Sequence, residues 1–218
     1  QYRRERQATR EQAEAVLTLS TEQEFPFWVA YGTILRGWTL AEQGQGEEGI
    51  AQIRRGLAAF KATGSGIWLS YCLALLAEAC GKVGQVEQGL TVLAEALAFV
   101  DKTGERYYEA ELYRLKGELS LQSAVRSPQS EITSPQPPTP STPQEAEAYF
   151  LRALEIARKQ QAKALELRAV MSLARLWQQQ GKKEDARQLL AEIYDWFTEG
   201  FDTADLQEAK ALLEELCQ

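Results

Sequence analysis

The residue types that could do chemistry in this chain are limited, because it contains no histidine and no asparagine. Histidine bases, histidine-ligated metals and haem coordination by histidine are therefore excluded. The three cysteines, Cys72, Cys80 and Cys217, have no CxxC spacing, which argues against a zinc site or a disulfide framework. The sequence predicts no catalytic residue, no metal site and no cofactor, so binding is the chemistry that remains.

The candidate binding residues combine aromatic rings with arginine and glutamate at helical spacing. Tyrosine and tryptophan give a large contact area at low entropic cost, and arginine can hold a carboxylate through two hydrogen bonds, so this combination favours peptide recognition. An alternative is that the aromatic rings fill the interior and the arginines pair with the glutamates of the same set. The predicted partner-binding residues are Tyr31, Trp38, Tyr71, Glu78, Glu111, Arg114, Glu118, Arg168 and Arg175.

A repeat of forty residues must position these side chains. Gly44 recurs as Gly84, Tyr31 recurs as Tyr71, and Leu35, Leu75 and Leu115 keep the same phase. Each unit has two stretches with apolar residues at helical spacing, separated by a turn that contains glycine. The predicted unit is thus a helical hairpin. The predicted helices span 5–19, 24–43, 47–62, 66–83, 87–101, 106–122, 143–160, 162–180, 183–198 and 203–217.

Small residues recur inside these helices at matching positions. Glycine in a helix costs about 0.5–1 kcal/mol relative to alanine, so its recurrence in phase needs a packing reason. We expect close helix crossings there, because two antiparallel helices can approach closely only where a side chain is nearly absent. The positions are Gly37, Ala77, Gly117 and Ala174 in the first helices, and Gly49, Gly89, Ala146 and Ala186 in the second helices.

This pattern resembles the tetratricopeptide repeat (TPR), and its clearest copy is the small residue, aromatic residue and alanine at Ala146, Phe150 and Ala153. HEAT-type repeats are the alternative fold. The resemblance implies an all-α, right-handed α-solenoid of stacked antiparallel helix pairs, with the helix at 203–217 as a C-terminal cap. Residues 1–218 would form a single domain. The first helix of each pair would line the concave face, which is where the candidate binding residues lie.

A more specific likeness covers residues 104–216, which are similar to the C-terminal repeat region of bacterial proteins that join a nucleotide cyclase or a DNA-binding domain to a STAND-type ATPase. It implies a non-catalytic interaction module, part of a larger signalling protein, that binds a protein, a peptide or another domain of its parent chain. The alternative is a domain that senses a small-molecule effector and controls the attached ATPase, cyclase or transcription regulator. No GxxxxGK[ST] motif is present, so ATP binding by that motif is excluded.

An insertion interrupts the third helix pair between residues 123 and 142. Six of the seven prolines lie there or at its C-terminal border, among serines and threonines, which predicts a loop that acts as a spacer. A docking peptide of the PxxP type is the alternative. The helix resumes with Thr142, Pro143 and Glu145, a sequence that predicts a capping box with proline at the first helical position.

Composition and charge narrow the possible partners. The net charge is −7, with 24 Lys and Arg against 31 Asp and Glu, so neither nucleic acid nor a membrane surface is an expected partner. The most apolar run, 67–77, is too short to span a bilayer. Three cysteines without a disulfide pattern fit a cytoplasmic location.

Overall fold

Helices are the only regular secondary structure in the part of the chain that the computed structural model describes, residues 1–126 and 142–217, with the backbone alone described for 125 and 126. Every predicted helix is present, with its ends within four residues of the expected ones. The ten helices are α1 (Arg6–Glu22), α2 (Pro26–Glu42), α3 (Gly46–Ala62), α4 (Leu69–Lys82), α5 (Val86–Thr103), α6 (Glu109–Arg126), α7 (Pro143–Lys159), α8 (Lys163–Gln179), α9 (Lys183–Tyr194) and α10 (Ala204–Leu216).

Backbone contacts divide the chain into two compact units, Gln1–Arg106 and Tyr107–Gln218. In the first unit α2 packs with α3 and α4 packs with α5, and α1 lies on α2. In the second unit α6 packs with α7 and α8 packs with α9, while α10 packs on α8 and α9. Each unit is thus built of consecutive antiparallel helix pairs. The prediction of one domain over 1–218 stays a prediction.

The predicted close crossing between α2 and α3 is confirmed at Gly37 and Gly49. A Cβ atom on Gly49 would lie 2.6 Å from the carbonyl oxygen of Gly37 and 2.7 Å from the backbone nitrogen of Ala41. A Cβ atom on Gly37 would lie 2.8 Å from the carbonyl oxygen of Gly49. The two backbones touch, so neither position has room for a side chain.

Gly117 marks the corresponding crossing of α6 and α7, but it faces a ring instead of a backbone. A Cβ atom there would lie 2.5 Å from Cε1 of Phe150, a side chain that is 1 % exposed. The small residue at Gly117 therefore creates the space that the aromatic residue of the repeat fills.

The turn residues between helices include both glycines and larger residues in the left-handed backbone region. Gly44 and Gly84 have φ of +86° and +76°, at turns within pairs. The same region is adopted by Glu24 and Gln161, each with φ of +55°, at turns that lead into α2 and α8. A residue with a side chain costs about 1–2 kcal/mol in this conformation, so these two turns depend on the packing of the helices they join.

The capping box at the start of α7 is confirmed. The backbone N–H of Glu145 donates to Oγ1 of Thr142, and the backbone N–H of Thr142 donates to Oε2 of Glu145. Pro143 holds the first helical position. At the other side of the insertion, α6 continues to Arg126, four residues into the span predicted as loop. The rest of the predicted insertion, 127–141, lies outside the described residues.

The core of the second unit extends through α10, which agrees with the predicted role of this helix as a cap. Leu206, Ala209, Leu212 and Leu216 are buried against residues of α7, α8 and α9. Burying a leucine side chain stabilises a fold by about 1.5–3 kcal/mol, so the three leucines hold α10 in place.

Burial separates the three cysteines into two classes. Cys72 and Cys80 are buried and Cys217 is exposed. Burial raises the pKa of Cys72 to about 12, and the nearby Glu105 carboxylate adds to the shift. The thiolate is the reactive form, so we expect one thiol per native chain to react with a thiol reagent at about pH 8 and three to react in denaturant. Rapid reaction of a second thiol in the native protein would contradict this burial.

Candidate functional site

The predicted binding residue Trp38 lies in the interior, which corrects the expectation that it is exposed. Its side chain is 1 % exposed, and its Nε1 donates to Oε2 of Glu78 at 3.0 Å. Glu78 in turn lies 3.4 Å from Nζ of Lys82, and Lys82 also pairs with Glu42. The ring therefore joins α2 to α4 through a partly buried hydrogen bond. For Trp38 the alternative interpretation, in which the aromatic ring fills the interior, is the one that fits.

Tyr71 is also buried, at 1 % exposure, so the expectation of an exposed ring is wrong here as well. Its hydroxyl donates to Oε1 of Gln1 at 2.8 Å, and its ring lies 5.1 Å from the ring of Tyr2. Tyr31 is only partly buried. Burial and the neighbouring hydroxyl of Tyr2 raise the pKa of Tyr31 well above its ordinary value, so it stays a neutral phenol. Of the three predicted aromatic residues, Tyr31 alone reaches the surface.

A partly exposed aromatic cluster lies where α2 and α4 begin, and we call Trp28, Tyr31 and Trp68 the aromatic surface. The ring of Trp28 lies 6.0 Å from that of Tyr31 and 6.1 Å from that of Trp68, and Tyr31 lies 5.4 Å from Trp68. Trp28 is 42 % exposed. Phe27 lies 4.9 Å from the fully buried Phe60, so it connects the aromatic surface to the core.

The backbone at Trp68 is in the left-handed region, with φ of 61° and ψ of 13°. This conformation is rare for a bulky residue and costs of the order of 1–3 kcal/mol. Glu105, in the turn after α5, holds it: Oε2 accepts from the backbone N–H of Trp68 at 3.0 Å, and Oε1 accepts from Oγ of Ser70 at 2.6 Å. The carboxylate thus holds the backbone at the start of α4, from which the Trp68 side chain projects.

Sequence reasoning missed Trp28, Trp68 and Glu105. The forty-residue period contains the signal for the two tryptophans, because 28 and 68 are equivalent positions and Tyr108 follows at the next one. No local pattern identifies Glu105, because its partners Trp68 and Ser70 are 37 and 35 residues away, at the start of α4.

In the second unit the predicted charged residues form an ion-pair network with one another. Arg114 holds Glu111 through two hydrogen bonds of 2.8 and 2.9 Å and also pairs with Glu118 at 2.5 Å. Oγ of Ser172 donates to the same Glu118 oxygen at 2.8 Å. The arginine and both glutamates therefore already contact groups of their own chain, as the alternative interpretation expected.

Arg168 is the most deeply buried of the three predicted arginines, with a side chain that is 8 % exposed. Its Nε donates to Oδ2 of Asp205 at 2.7 Å, and its Nη1 lies 3.7 Å from Oε1 of Glu111. Burial opposes the charged form, but the Glu111 and Asp205 carboxylates outweigh it and keep the pKa of Arg168 above its ordinary value. The expectation that Arg168 faces a partner is corrected: it ties α8 to α6 and α10. Arg175 is 43 % exposed and lies 3.5 Å from Glu208.

The described residues contain neither a candidate metal-binding group nor a candidate membrane-spanning helix. Between 1 and 126, and between 142 and 217, no group of three or more histidine, cysteine, aspartate or glutamate side chains could hold a metal ion. No helix in these ranges has the length and apolar character that a membrane crossing needs.

Antiparallel helix pairs in sequence, with small residues at their crossings, define a TPR-like all-α fold, and comparison with solved structures confirms this predicted class. The chain is similar to a crystal structure from Podosopora anserina, described as a kinesin light chain with nearly identical TPR-like repeats. The identity is 17 %, the match covers 88 % of this chain and 87 % of that chain, and the TM-score is 0.61. A crystal structure of a point variant of the same protein matches with 17 % identity, covers 86 % of this chain and 92 % of that chain, and has a TM-score of 0.57.

At this identity the likeness shows the fold and nothing about the partner. No protein-family model matches the chain. No curated protein matches it either. Function must therefore be argued from the surfaces themselves.

Proposed function

We propose that the chain is a non-catalytic TPR-like interaction module that binds a protein or peptide partner at the aromatic surface. The observation that carries the proposal is the exposure of clustered aromatic rings on a rigid support. Tryptophan and tyrosine are enriched among the residues that dominate binding energy at interfaces. Trp28 remains 42 % exposed, whereas Phe27 beside it is partly buried and contacts the fully buried Phe60.

The fixed geometry of Trp68 supports the same proposal. A side chain whose backbone is already held in a costly conformation loses little further freedom when a partner binds, and such pre-organisation increases affinity. Glu105 supplies the two hydrogen bonds that hold the start of α4. The backbone conformation held at Trp68 thus presents a partly exposed ring beside Trp28 and Tyr31.

The partner of this surface presents apolar side chains. The predicted partner-binding arginines form ion pairs with Glu111, Glu118, Asp205 and Glu208. We therefore assign the partner contact to the aromatic rings and not to the arginines. We extend the proposal to the larger context implied by the sequence: a regulatory part of a bacterial signalling protein in the cytoplasm, whose partner is another protein or another domain of the parent chain. Control by a small-molecule effector stays the alternative.

Selection of peptides followed by substitution tests the proposal. We expect dodecapeptides selected from a random library on this protein to lose at least about tenfold in affinity when Trp28 is replaced by serine, as expected for a tryptophan at the centre of an interface. Trp68→Gly should have the same effect without destabilising the fold, because glycine accepts the left-handed backbone. Isothermal titration calorimetry measures both affinities.

Trp196 provides the matched control, because it is a 57 % exposed tryptophan in the second unit. Trp196→Ser should leave the affinity of the selected peptides unchanged. Equal binding by Trp28→Ser, Trp68→Gly and the parent protein would contradict the proposal, as would a selection that yields no specific peptide.

A further inference from the structure

A groove lies in the first unit, between α1, α2 and α3. Both α1 and α3 pack on α2, and they make no close backbone approach to each other. The groove between them has a volume of about 690 Å³, which is within the range of about 300–1,000 Å³ typical of ligand sites. Its apolar part is formed by Phe25, Pro26, Val29, Ala30 and Ala59. Most of the lining residues are exposed, so the groove is open along its length.

Two arginines lie at one end of this groove. Arg36 and Arg55 line it and are exposed, and neither has a carboxylate within salt-bridge distance among residues 1–126 and 142–217. With its amide oxygen turned towards α2, the buried Gln52 accepts a hydrogen bond of 3.0 Å from Arg36. A neutral acceptor holds this guanidinium in place and leaves its positive charge uncompensated. Glu24, the one acidic residue among the lining residues, lies just before α2, at the other end of the groove.

The two ends of the groove differ in character, one being mainly apolar and the other basic. Gly56 packs against the backbone of Ala30 and Ile34, and α3 runs antiparallel to α2. Arg55 therefore lies towards Arg36, and Ala59 lies towards the start of α2. From Pro26 to Arg36 the rise along α2 is about 15 Å. An extended chain covers this length with about five residues.

We propose that this groove binds an extended segment of a protein partner in which a run of apolar residues adjoins a run of acidic residues. The apolar side chains lie over Phe25, Val29 and Ala59, and the acidic side chains pair with Arg36 and Arg55. An open groove cannot enclose a small molecule, whose site normally buries about 70–90 % of the ligand surface, whereas a peptide needs only one of its faces covered. The proposal is separate from the aromatic surface and adds a second partner site to the repeat.

The test uses a fluorescein-labelled peptide, Leu-Ile-Val-Leu-Glu-Glu-Glu with an amidated C-terminus, and a matched peptide with lysine in place of glutamate. Fluorescence anisotropy measures their binding to the full chain. We expect saturable binding of the acidic peptide only. Ala59→Trp fills the groove, and Arg36→Glu with Arg55→Glu reverses its charge, so each variant should lose at least about tenfold in affinity for the acidic peptide. The charge-reversed variant should bind the lysine peptide instead.

The control carries the same change of charge elsewhere: Lys102→Glu with Lys183→Glu, both exposed positions, should bind as the parent protein does. Trp28→Ser should also bind normally, which separates this site from the aromatic surface. The proposal is overturned if the acidic peptide does not saturate, if Ala59→Trp binds it with unchanged affinity, or if Trp28→Ser abolishes binding. Saturable binding of decanoate, without binding of the peptide, would overturn it too.

Discussion

Replacing Arg168 by methionine is expected to lower the free energy of unfolding by about 3–5 kcal/mol, the loss typical of removing one partner of a buried ion pair. Methionine fills much the same volume, so the loss comes from charge and not from a cavity. Asp205 would lose the hydrogen bond of 2.7 Å that joins α10 to α8, while its carboxylate stays only 11 % exposed. Urea unfolding followed by circular dichroism measures the change.

Arg175→Met is the matched control, because Arg175 is 43 % exposed and its contact with Glu208 is 3.5 Å long. A pair of this kind contributes about 0–1 kcal/mol. The double variant Arg168→Met with Asp205→Leu should recover most of the lost stability, since the Asp205 carboxylate is then gone and Glu111 keeps its two hydrogen bonds from Arg114. If Arg168→Met and Arg175→Met unfold at the same urea concentration, the buried network does not hold α10.

Replacing Gly49 by alanine is expected to lower the free energy of unfolding by about 2–3 kcal/mol, which is the upper part of the range for overpacking. On helix propensity alone the same change would stabilise by about 0.5–1 kcal/mol, so the two effects have opposite signs. We expect the cost of overpacking to exceed the gain in helix propensity, because the new methyl group would lie 2.6 Å from one backbone atom and 2.7 Å from another, and backbone atoms cannot rotate away.

Gly32→Ala separates propensity from packing. A methyl group on Gly32 would meet side-chain atoms only, at 3.0 Å from Leu17 and 3.3 Å from Val16, so small rotamer changes can make room. We expect it to change the melting temperature little or to raise it. Destabilisation of equal size by the two substitutions would show that the crossing at Gly49 is no tighter than an ordinary helix contact.

The repeat made much of the fold predictable. A forty-residue period in glycine and leucine positions identifies pairs of helices that must cross closely, and Gly37 and Gly49 do so. The capping box at Thr142 and Glu145 is likewise local, since its two residues lie three positions apart in one turn. Both inferences rest on backbone geometry that neighbouring residues determine.

The surface was less predictable, because it depends on side-chain partners that are distant in sequence. Trp38 meets Glu78 forty residues away, and Arg168 meets Asp205 thirty-seven residues away. A helical pattern places a residue on a face, but whether that face meets solvent or another helix depends on the rotation of both helices. The sequence therefore predicted binding roles for Trp38, Tyr71 and Arg168, whose side chains are buried and form hydrogen bonds within the chain.

The two hydrogen bonds of Glu105 couple the opening of the turn after α5 to the opening of the backbone at the start of α4. Fraying of the turn after α5 would release the N–H of Trp68 and the hydroxyl of Ser70 together, because one carboxylate holds both. A partner that fixes the Trp68 ring must, by thermodynamic linkage, also disfavour opening at Glu105. Amide exchange in that turn would then slow when the aromatic surface is occupied, although no partner atom reaches it.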